Sequence, residues 1–346
     1  MTNPAPARTV GFRSGERNVF FHLLTACNLS CKHCYINPPQ HGTMTLSLET
    51  VLAWLTCFSR SENKKKYEKK TNLILLGGEP TMHPDLAGII RAAKSMRYHV
   101  TVDSNGFLFH DLLGRVTPDE LDFLSFSLDG PDAAVNDPIR GEGVFATCTK
   151  NIKRAVAGGF RTSLIYTVSG MNIVHLHRMP QLVKNLGIER FFIQVIGLRG
   201  KPAGTVFSPE TAWQVDPEHW LDIVPEVAAQ AAALGLSVTY PKVYLDPCES
   251  FECAGLVAEN YFIFPNGRVY QCPLCEDHPI HSFCMENDRL VKRSGLNEDR
   301  FFTLSIPEGC VMNKLLQPDN IEYLKDGTPR HRISCCLLKQ HVEPER

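Results

Sequence analysis

The sequence predicts an α/β fold built on parallel strands. Over the first two hundred residues, short β-rich runs alternate with helical patterns, and this order is typical of a parallel sheet with right-handed crossovers. Beyond residue 200 the pattern changes to a cysteine-rich region that contains a candidate hairpin. Six strand–helix units indicate a partial barrel or an open doubly wound sheet, because the eight strands of a closed barrel are not visible before residue 200.

The elements are expected in a regular order. Strands are predicted over 18–25, 72–76, 99–103, 122–128, 161–168 and 190–196, and helices over 46–58, 85–96, 144–159, 174–187 and 220–235. Ser47 precedes Glu49 and an apolar stripe, which is a good helix N-cap. The run YFIFPNGRVYQC predicts a hairpin that turns at Asn266-Gly267.

The chain is predicted to have four parts. They are an N-terminal extension (1–17), a core (18–200), a linker and helix (201–245) and a small cysteine-rich α+β domain (246–346). The charge run at 61–72 is interpreted as a solvated insertion, since aromatic residues and further basic clusters are missing.

Composition narrows the class of protein. Of the 346 residues, 43% are apolar and 21% are charged, as in soluble globular proteins, and the net charge of −1 argues against nucleic acid as a general partner. No apolar run approaches the roughly 20 residues that a membrane span requires. The N-terminus lacks the apolar stretch of a secretory signal, so we expect a cytoplasmic protein.

Thirteen cysteines are unusual for such a chain. The odd number and the missing signal favour metal ligands over disulfides. Three lie near the start and eight lie in the last hundred residues, at 248, 253, 272, 275, 284, 310, 335 and 336. Cys57 and Cys148 fall in helical patterns and are expected in the core.

The first group is a compact motif on the loop after the first strand. Cys27, Cys31 and Cys34 have the spacing Cys-x3-Cys-x2-Cys. Three thiolates can hold an iron–sulfur cluster and leave one iron open, and an open metal position is where a ligand binds. A zinc knuckle completed by His33 or His22 is the alternative.

A second motif follows one strand later. Gly77, Gly78, Glu79 and Pro80 end the second strand, where glycines let the backbone approach a ligand, Glu79 offers a carboxylate to an ammonium group and Pro80 stiffens the turn. Alone, the motif could be an ordinary turn at the end of a strand. Its place beside the cysteine loop favours a ligand site.

Polar residues also end the later strands. The runs are Asp103-Ser104-Asn105-Gly106 and Ser127-Leu128-Asp129-Gly130, with Thr167, Asn172 and Gln194 as further pocket candidates. Parallel α/β folds place ligands at the carboxyl ends of their strands. Ordinary Asx turns are the alternative for both runs.

Taken in this order, the motifs of residues 18–200 resemble the radical S-adenosylmethionine (SAM) superfamily. The resemblance implies a partial parallel (β/α)6 barrel with a SAM-binding 4Fe–4S cluster on Cys27, Cys31 and Cys34. It also places His33 beside the adenine. The SAM-binding residues that it implies are Gly77, Gly78, Glu79, Pro80, Asn105, Ser127, Asp129, Arg140 and Gln194. For Arg140 a surface ion pair is the alternative.

The C-terminal region carries a second resemblance. Cys253, Gly267 and Cys272 are similar to the opening motif of the SPASM and Twitch domains, which hold auxiliary iron–sulfur clusters. This implies one auxiliary 4Fe–4S cluster on Cys248, Cys253, Cys272 and Cys310, with Cys335 or Cys336 as other fourth ligands. Cys275 and Cys284 depart from the pattern of a second auxiliary cluster, and a zinc ribbon is the other interpretation.

The resemblance also implies an activity. Such an enzyme cleaves SAM reductively to a 5′-deoxyadenosyl radical, with an electron from a flavodoxin or ferredoxin, and abstracts hydrogen from a substrate. We expect a peptide or protein substrate, and a small molecule or tetrapyrrole is the alternative. A non-enzymatic iron–sulfur carrier would need the cysteines but not the Gly-Gly-Glu-Pro turn, and a zinc-binding interaction module would hold no iron.

Overall fold

The computed structural model describes residues 16–59, 70–204, 213–246, 249 and 251–344. Predictions for residues 1–15, for most of the charge run at 61–72 and for Cys248 lie outside the described residues. The strands are β1 (Glu16–His22), β2 (Lys70–Leu76), β3 (His99–Ser104), β4 (Phe123–Ser127), β5 (Thr162–Val168), β6 (Arg190–Val195), β7 (Ser237–Pro241), β8 (Tyr244–Leu245), β9 (Glu259–Ile263), β10 (Arg268–Tyr270), β11 (Phe283–Glu286), β12 (Arg289–Lys292), β13 (Arg332–Ile333) and β14 (Lys339–Val342). The helices are α1 (Pro38–His41), α2 (Leu48–Ser59), α3 (Leu86–Ser95), α4 (Leu112–Arg115), α5 (Ala133–Arg140), α6 (Val144–Ala157), α7 (Met179–Asn185), α8 (Pro217–Ala233), α9 (Ala254–Val257), α10 (Asp299–Phe302) and α11 (Val311–Leu316).

One large, mostly parallel sheet organises the described chain. Its strand order is β12-β11-β10-β9-β1-β2-β3-β4-β5-β6-β7-β14. Neighbouring strands run parallel from β9 to β7, whereas β14 and the β10–β12 end are antiparallel. The predicted α/β class and the six parallel strands β1–β6 are therefore confirmed.

Alternation of side chains along the strands builds the core. On β3, Val100 and Val102 are fully buried, while Thr101 and Asp103 point to the opposite face. The buried face packs under α2 and α3, which contribute Leu55 and other apolar side chains. Helices thus cover one face of the sheet, and Ser47 caps α2 as predicted, since its Oγ accepts a hydrogen bond from Thr50 N at 3.2 Å.

Among the elements that differ from the sequence prediction, three have a clear physical reason. The strand β7 lies within the segment expected to be a linker and helix, and it was missed because it is short and ends at Pro241. The helix α5 was missed because Pro138 interrupts its pattern. The helix expected over 174–187 is divided into a 3-10 turn and α7, which has Pro180 in its first turn.

The cysteine-rich region is attached to the core sheet. The predicted hairpin is present as β9 and β10, and Phe264 N donates to Arg268 O across its turn at 3.0 Å. Strand β9 runs parallel to β1, pairing Asn18 with Asn260. This pairing places the second group of cysteines beside the strand that leads to the first. None of the helices in the described ranges is long and apolar enough to cross a membrane.

Candidate functional site

The loop after β1 carries the first three cysteines. Cys27 is exposed, Cys31 and Cys34 are half-buried, and all three are free thiols. Leu29 N donates to Cys27 Sγ at 3.4 Å. Burial raises the pKa of Cys27 to about 11, and the charges of Cys31 and Cys34 raise it further. The three thiols therefore lie close enough to affect one another.

The chemistry of this loop fits an iron–sulfur cluster. Cysteine thiols lose their protons when a metal binds them, so metal loading would convert these three to thiolate ligands. The His33 Nδ1 and Asn28 Nδ2 atoms are buried and have no hydrogen-bond partner among the described residues. Within the same residues, no three His, Cys, Asp or Glu side chains are gathered tightly enough to hold a single metal ion.

The Gly-Gly-Glu-Pro turn is joined to the cysteine loop through the backbone. Gly78 N donates to Leu24 O at 2.9 Å, and Glu79 N donates to Ala26 O at 3.0 Å. A Cβ atom at Gly77 would lie 2.3 Å from Leu24 O, and one at Gly78 would lie 2.1 Å from Ala26 O. Both positions require glycine because the two loops approach each other so closely.

Glu79 binds protein groups with both carboxylate oxygens. Its side chain is fully buried. Oε1 accepts from Thr81 N at 3.1 Å, Thr81 Oγ1 at 2.7 Å and Ser104 Oγ at 2.9 Å, while Oε2 accepts from Asn105 N at 2.7 Å. Pro80 begins the short 3-10 turn that follows. The structure therefore gives this carboxylate a task that the sequence did not predict, which is to connect the ends of β2 and β3.

Replacing Glu79 with Ala is expected to destabilise the metal-free protein. The change leaves several buried donors without an acceptor, and each costs about 1–3 kcal/mol, so the free energy of unfolding should fall by about 3 kcal/mol or more. Urea denaturation measures this. Glu189→Ala, in an exposed ion pair with Arg161, is the matched control and should cost less than about 1 kcal/mol. Equal losses in both variants would contradict a structural role of Glu79.

Asn105 connects the end of β3 to the cysteine loop. Its Nδ2 atom donates to Asn28 Oδ1 at 2.8 Å and lies 3.6 Å from Cys27 Sγ. Its Oδ1 atom accepts from Phe107 N at 2.9 Å. The structure thus brings this predicted SAM residue directly to the first cysteine.

Asp129 is the centre of a buried charged group. Its Oδ2 atom lies 2.7 Å from His33 Nε2 and 2.5 Å from Arg140 Nε, and its Oδ1 atom accepts from Thr167 N at 2.8 Å. Burial alone would raise the pKa of Asp129, but Arg140 and His33 hold it below its usual range. Arg140 also meets the cysteine loop, since its carbonyl lies 3.6 Å from Cys31 Sγ. The expected alternative of a surface ion pair for Arg140 is wrong, because both partners are buried.

Substituting Asp129 with Asn should leave the Arg140 charge buried without a partner. Loss of one member of a buried pair costs about 3 kcal/mol or more of unfolding free energy. In the wild type this contribution is fully present above the unfolded pKa of about 4, and it is lost progressively as the pH falls from there through the lower folded-state pKa. Chemical denaturation at pH 7 and pH 3 measures both effects, and a pH-independent loss would contradict the assignment. The control is Asp132→Asn in the exposed pair with Arg178, with an expected cost below about 1 kcal/mol.

The remaining predicted pocket residues lie at the same edge of the sheet. Ser127 is half-buried at the end of β4, and Gln194 is exposed on β6 beside Thr167. Asn172 is fully buried, and its Nδ2 atom donates to Asp129 O at 3.1 Å and to Thr167 O at 3.0 Å. Ser127 and Gln194 therefore remain accessible to a ligand, whereas Asn172 fixes the loop after β5.

One acidic residue of the polar run at the end of β3 was not assigned a role from the sequence. Asp103 lies on the face of β3 opposite Val102 and interacts with Ser125 on β4, and burial raises its pKa to about 7. The sequence could have indicated this role, because Asp103 is a carboxylate one residue before the end of β3, on the strand face opposite the apolar valines.

A second cysteine site lies in the C-terminal region. Cys253, Cys272, Cys310 and Cys335 line one small apolar cavity together with aromatic residues such as Phe302. Burial raises the pKa of Cys253 to about 11 and the pKa of Cys310 even further, and the charge of Cys272 raises both. Four cysteines from distant parts of the chain thus line one cavity.

Backbone pairing brings the late cysteines to this cavity. Cys310 N donates to Ile333 O at 2.9 Å, which places the segment with Cys335 and Cys336 beside Cys310. Cys310 and Cys335 are therefore both available as cluster ligands, whereas the sequence pattern favoured Cys310 and gave Cys335 as an alternative to it. Cys284 is elsewhere on β11, with its thiol 2.9 Å from Glu286 Oε1.

The two cysteines in the middle of the chain lie where the sequence predicted them. Cys148 is fully buried in the core, as expected, and Cys57 packs against the core.

Comparison with known proteins adds a family match. The model of the Radical SAM superfamily matches residues 22–183. Pre-heme d1 synthase of Dinoroseobacter shibae is 26% identical over 206 residues, which cover 58% of this chain and 48% of that protein. Mycofactocin maturase MftC of Mycobacterium tuberculosis is 24% identical over 298 residues, which cover 80% of this chain and 71% of MftC. The chain thus spans about half the length of the first relative.

Solved structures show the same fold. Streptococcus suis SuiB bound to S-adenosylmethionine superposes with a TM-score of 0.54 at 12% identity, covering 87% of this chain and 66% of SuiB. SuiB bound to precursor peptide SuiA gives a TM-score of 0.53, also at 12% identity, covering 90% of this chain and 66% of SuiB. The family match and the fold agree with the cysteine loop, its joined glycine turn and the polar strand ends. Residues 22–183 therefore match the Radical SAM superfamily model, and the chain shares its fold with SuiB.

Proposed function

We propose that this enzyme cleaves SAM reductively at a 4Fe–4S cluster held by Cys27, Cys31 and Cys34, and uses the resulting radical to modify a peptide or protein. When bound, such a cluster supplies the electron that splits SAM into methionine and a 5′-deoxyadenosyl radical, which abstracts hydrogen from the substrate. The observation that carries this proposal is the backbone junction of the cysteine loop with Gly78 and Glu79 at the carboxyl edge of the sheet.

The chain's own residues would bind and orient SAM. Gly77 and Gly78 expose backbone next to the cysteine loop, and Glu79 and Pro80 fix that turn in place. The ring of His33, held by Asp129, would lie beside the adenine, and Arg140 keeps Asp129 ionised. The side chains of Ser127, Asn105 and Gln194 complete the proposed SAM site.

We further propose one auxiliary 4Fe–4S cluster in a SPASM- or Twitch-like region. Cys253, Cys272 and Cys310 are its proposed ligands, and Cys335 shares their cavity. Cys248, outside the described residues, is the alternative to Cys335 as the fourth ligand, on its spacing alone. The proposed parts of the chain are the core at 18–200, a linking segment at 201–245 and the auxiliary region at 246–346, with the core forming a partial (β/α)6 barrel.

A peptide substrate is favoured by a relative that aligns over a large part of the chain. MftC is named a maturase and aligns over 80% of the present chain. Pre-heme d1 synthase, which aligns over 58%, supports a tetrapyrrole or other small molecule as the second candidate. A flavodoxin or ferredoxin is the proposed electron donor, and we place the enzyme in the cytoplasm.

The test begins with anaerobic reconstitution of the full chain with iron and sulfide. Reduction with dithionite in the presence of SAM should release 5′-deoxyadenosine, measured by chromatography. Precursor peptides encoded beside the gene and a panel of tetrapyrroles are then compared for the mass change that they undergo. Bound iron without 5′-deoxyadenosine would instead indicate a carrier, and bound zinc would indicate an interaction module.

A further inference from the structure

The segment after β6, residues 197–201, contacts both cysteine regions. Lys201 N donates to Cys34 O at 3.0 Å, and Lys201 Nζ donates to Cys31 O at 3.0 Å. On the other side, Gly200 N donates to Asp277 Oδ2 at 2.6 Å. A Cβ atom at Gly200 would lie 2.6 Å from Cys34 O, so the contact with the first loop is close.

Arg199 lies between the two regions. Its guanidinium stacks 4.5 Å from the centre of the Tyr35 ring, and Tyr35 directly follows Cys34. Its Nη1 atom donates to Pro273 O at 3.0 Å, and Pro273 directly follows Cys272. The same nitrogen forms an ion pair with Glu276.

The ion pair is shielded from water. The side chain of Glu276 is 1% exposed and that of Arg199 is 20% exposed. Charges in such a place are weakly screened and act over longer distances than they would at the surface. Arg199 is therefore a cation placed beside Pro273, next to the proposed auxiliary ligand Cys272, and it also contacts the loop of the first site.

We propose that the Arg199–Glu276 ion pair sets the reduction potential of the auxiliary cluster. This inference rests on the auxiliary cluster of the proposed function. Reduction adds one electron, and hence one negative charge, to a site lined by Cys253, Cys272 and Cys310. The positive guanidinium stabilises the reduced form and the Glu276 carboxylate opposes it. Arg199 thus acts on the cluster through its charge, and it needs no contact with the substrate to do so.

The two charges predict opposite effects. In Arg199→Gln the reduced cluster loses its nearby cation, so the reduction equilibrium should shift at least about tenfold towards the oxidised form, or about 59 mV more negative for one electron. Burial raises the pKa of Glu276 to about 8. At a pH above that value Glu276→Gln keeps the shape and removes the opposing charge, so the potential should become less negative. Arg199→Lys retains a positive charge and should stay closer to the wild-type potential than Arg199→Gln does.

The measurement is a redox titration with dithionite, followed by electron paramagnetic resonance. It is made in a chain that also carries Ala at Cys27, Cys31 and Cys34, so that only the auxiliary cluster contributes. Iron is counted in every sample before titration.

Iron content separates the two proposals. About four irons per chain with an unchanged potential in Arg199→Gln would overturn the tuning role alone. Shifts of the same sign in the Arg199→Gln and Glu276→Gln variants would also overturn it, since they would reflect altered packing. Absence of iron would overturn the auxiliary cluster and the tuning role together.

Discussion

Replacing Cys27, Cys31 and Cys34 together with Ala is expected to abolish 5′-deoxyadenosine formation. Cysteine thiolates are the ligands that the proposed SAM-binding cluster requires, and the variant removes all three of them. The loop itself is held by backbone hydrogen bonds in which Leu24 O and Ala26 O accept from the Gly-Gly-Glu-Pro turn, and the substitutions leave these bonds intact. The variant should therefore stay folded and lose activity to the background level of the assay.

Folding and activity are measured separately for this variant. Circular dichroism and thermal unfolding of the metal-free chains should be close to wild type. The matched control is the double variant Cys57→Ala/Cys284→Ala, which removes thiols that contact Asp288 O and Glu286 and lie outside both cysteine sites. It should retain 5′-deoxyadenosine formation. Cleavage at the wild-type rate in the triple variant would refute the assignment of the cluster ligands.

Removing Cys253, Cys272 and Cys310 together should halve the iron content. Two four-iron clusters give about eight irons per reconstituted chain, and loss of the auxiliary ligands should leave about four. The triple variant of the first loop should also retain about four, with an iron–sulfur absorption band but without SAM cleavage. Iron and zinc are measured by mass spectrometry of the metals. Zinc in place of the residual iron would show that the C-terminal site is a zinc ribbon.

The fourth auxiliary ligand can be found by single substitutions. Cys335 shares the cavity with Cys310, and the neighbouring Cys336 is the remaining described candidate. Cys335→Ala should lower the auxiliary iron content, while Cys336→Ala should change it little. The reverse result would identify Cys336 as the ligand, and no loss in either variant would favour Cys248.

The sequence by itself determined the features that depend on neighbouring residues. Short β-rich runs between helical patterns predicted β1 to β6, because strand and helix preferences depend on residues close in sequence. The Cys27–Cys34 spacing and the Gly77–Pro80 turn were visible for the same reason, since each motif lies within one loop. The hairpin at Asn266-Gly267 was likewise set by a local turn signal.

Only the tertiary structure decided which distant residues meet. Asp129 contacts His33 across 96 positions of the sequence, and β9 lies beside β1 across more than 200. The direction of the Glu79 carboxylate and the convergence of Cys310 with Cys335 have the same origin. Such contacts follow from the order of strands in the sheet and from which face each side chain occupies, and no local pattern encodes that order.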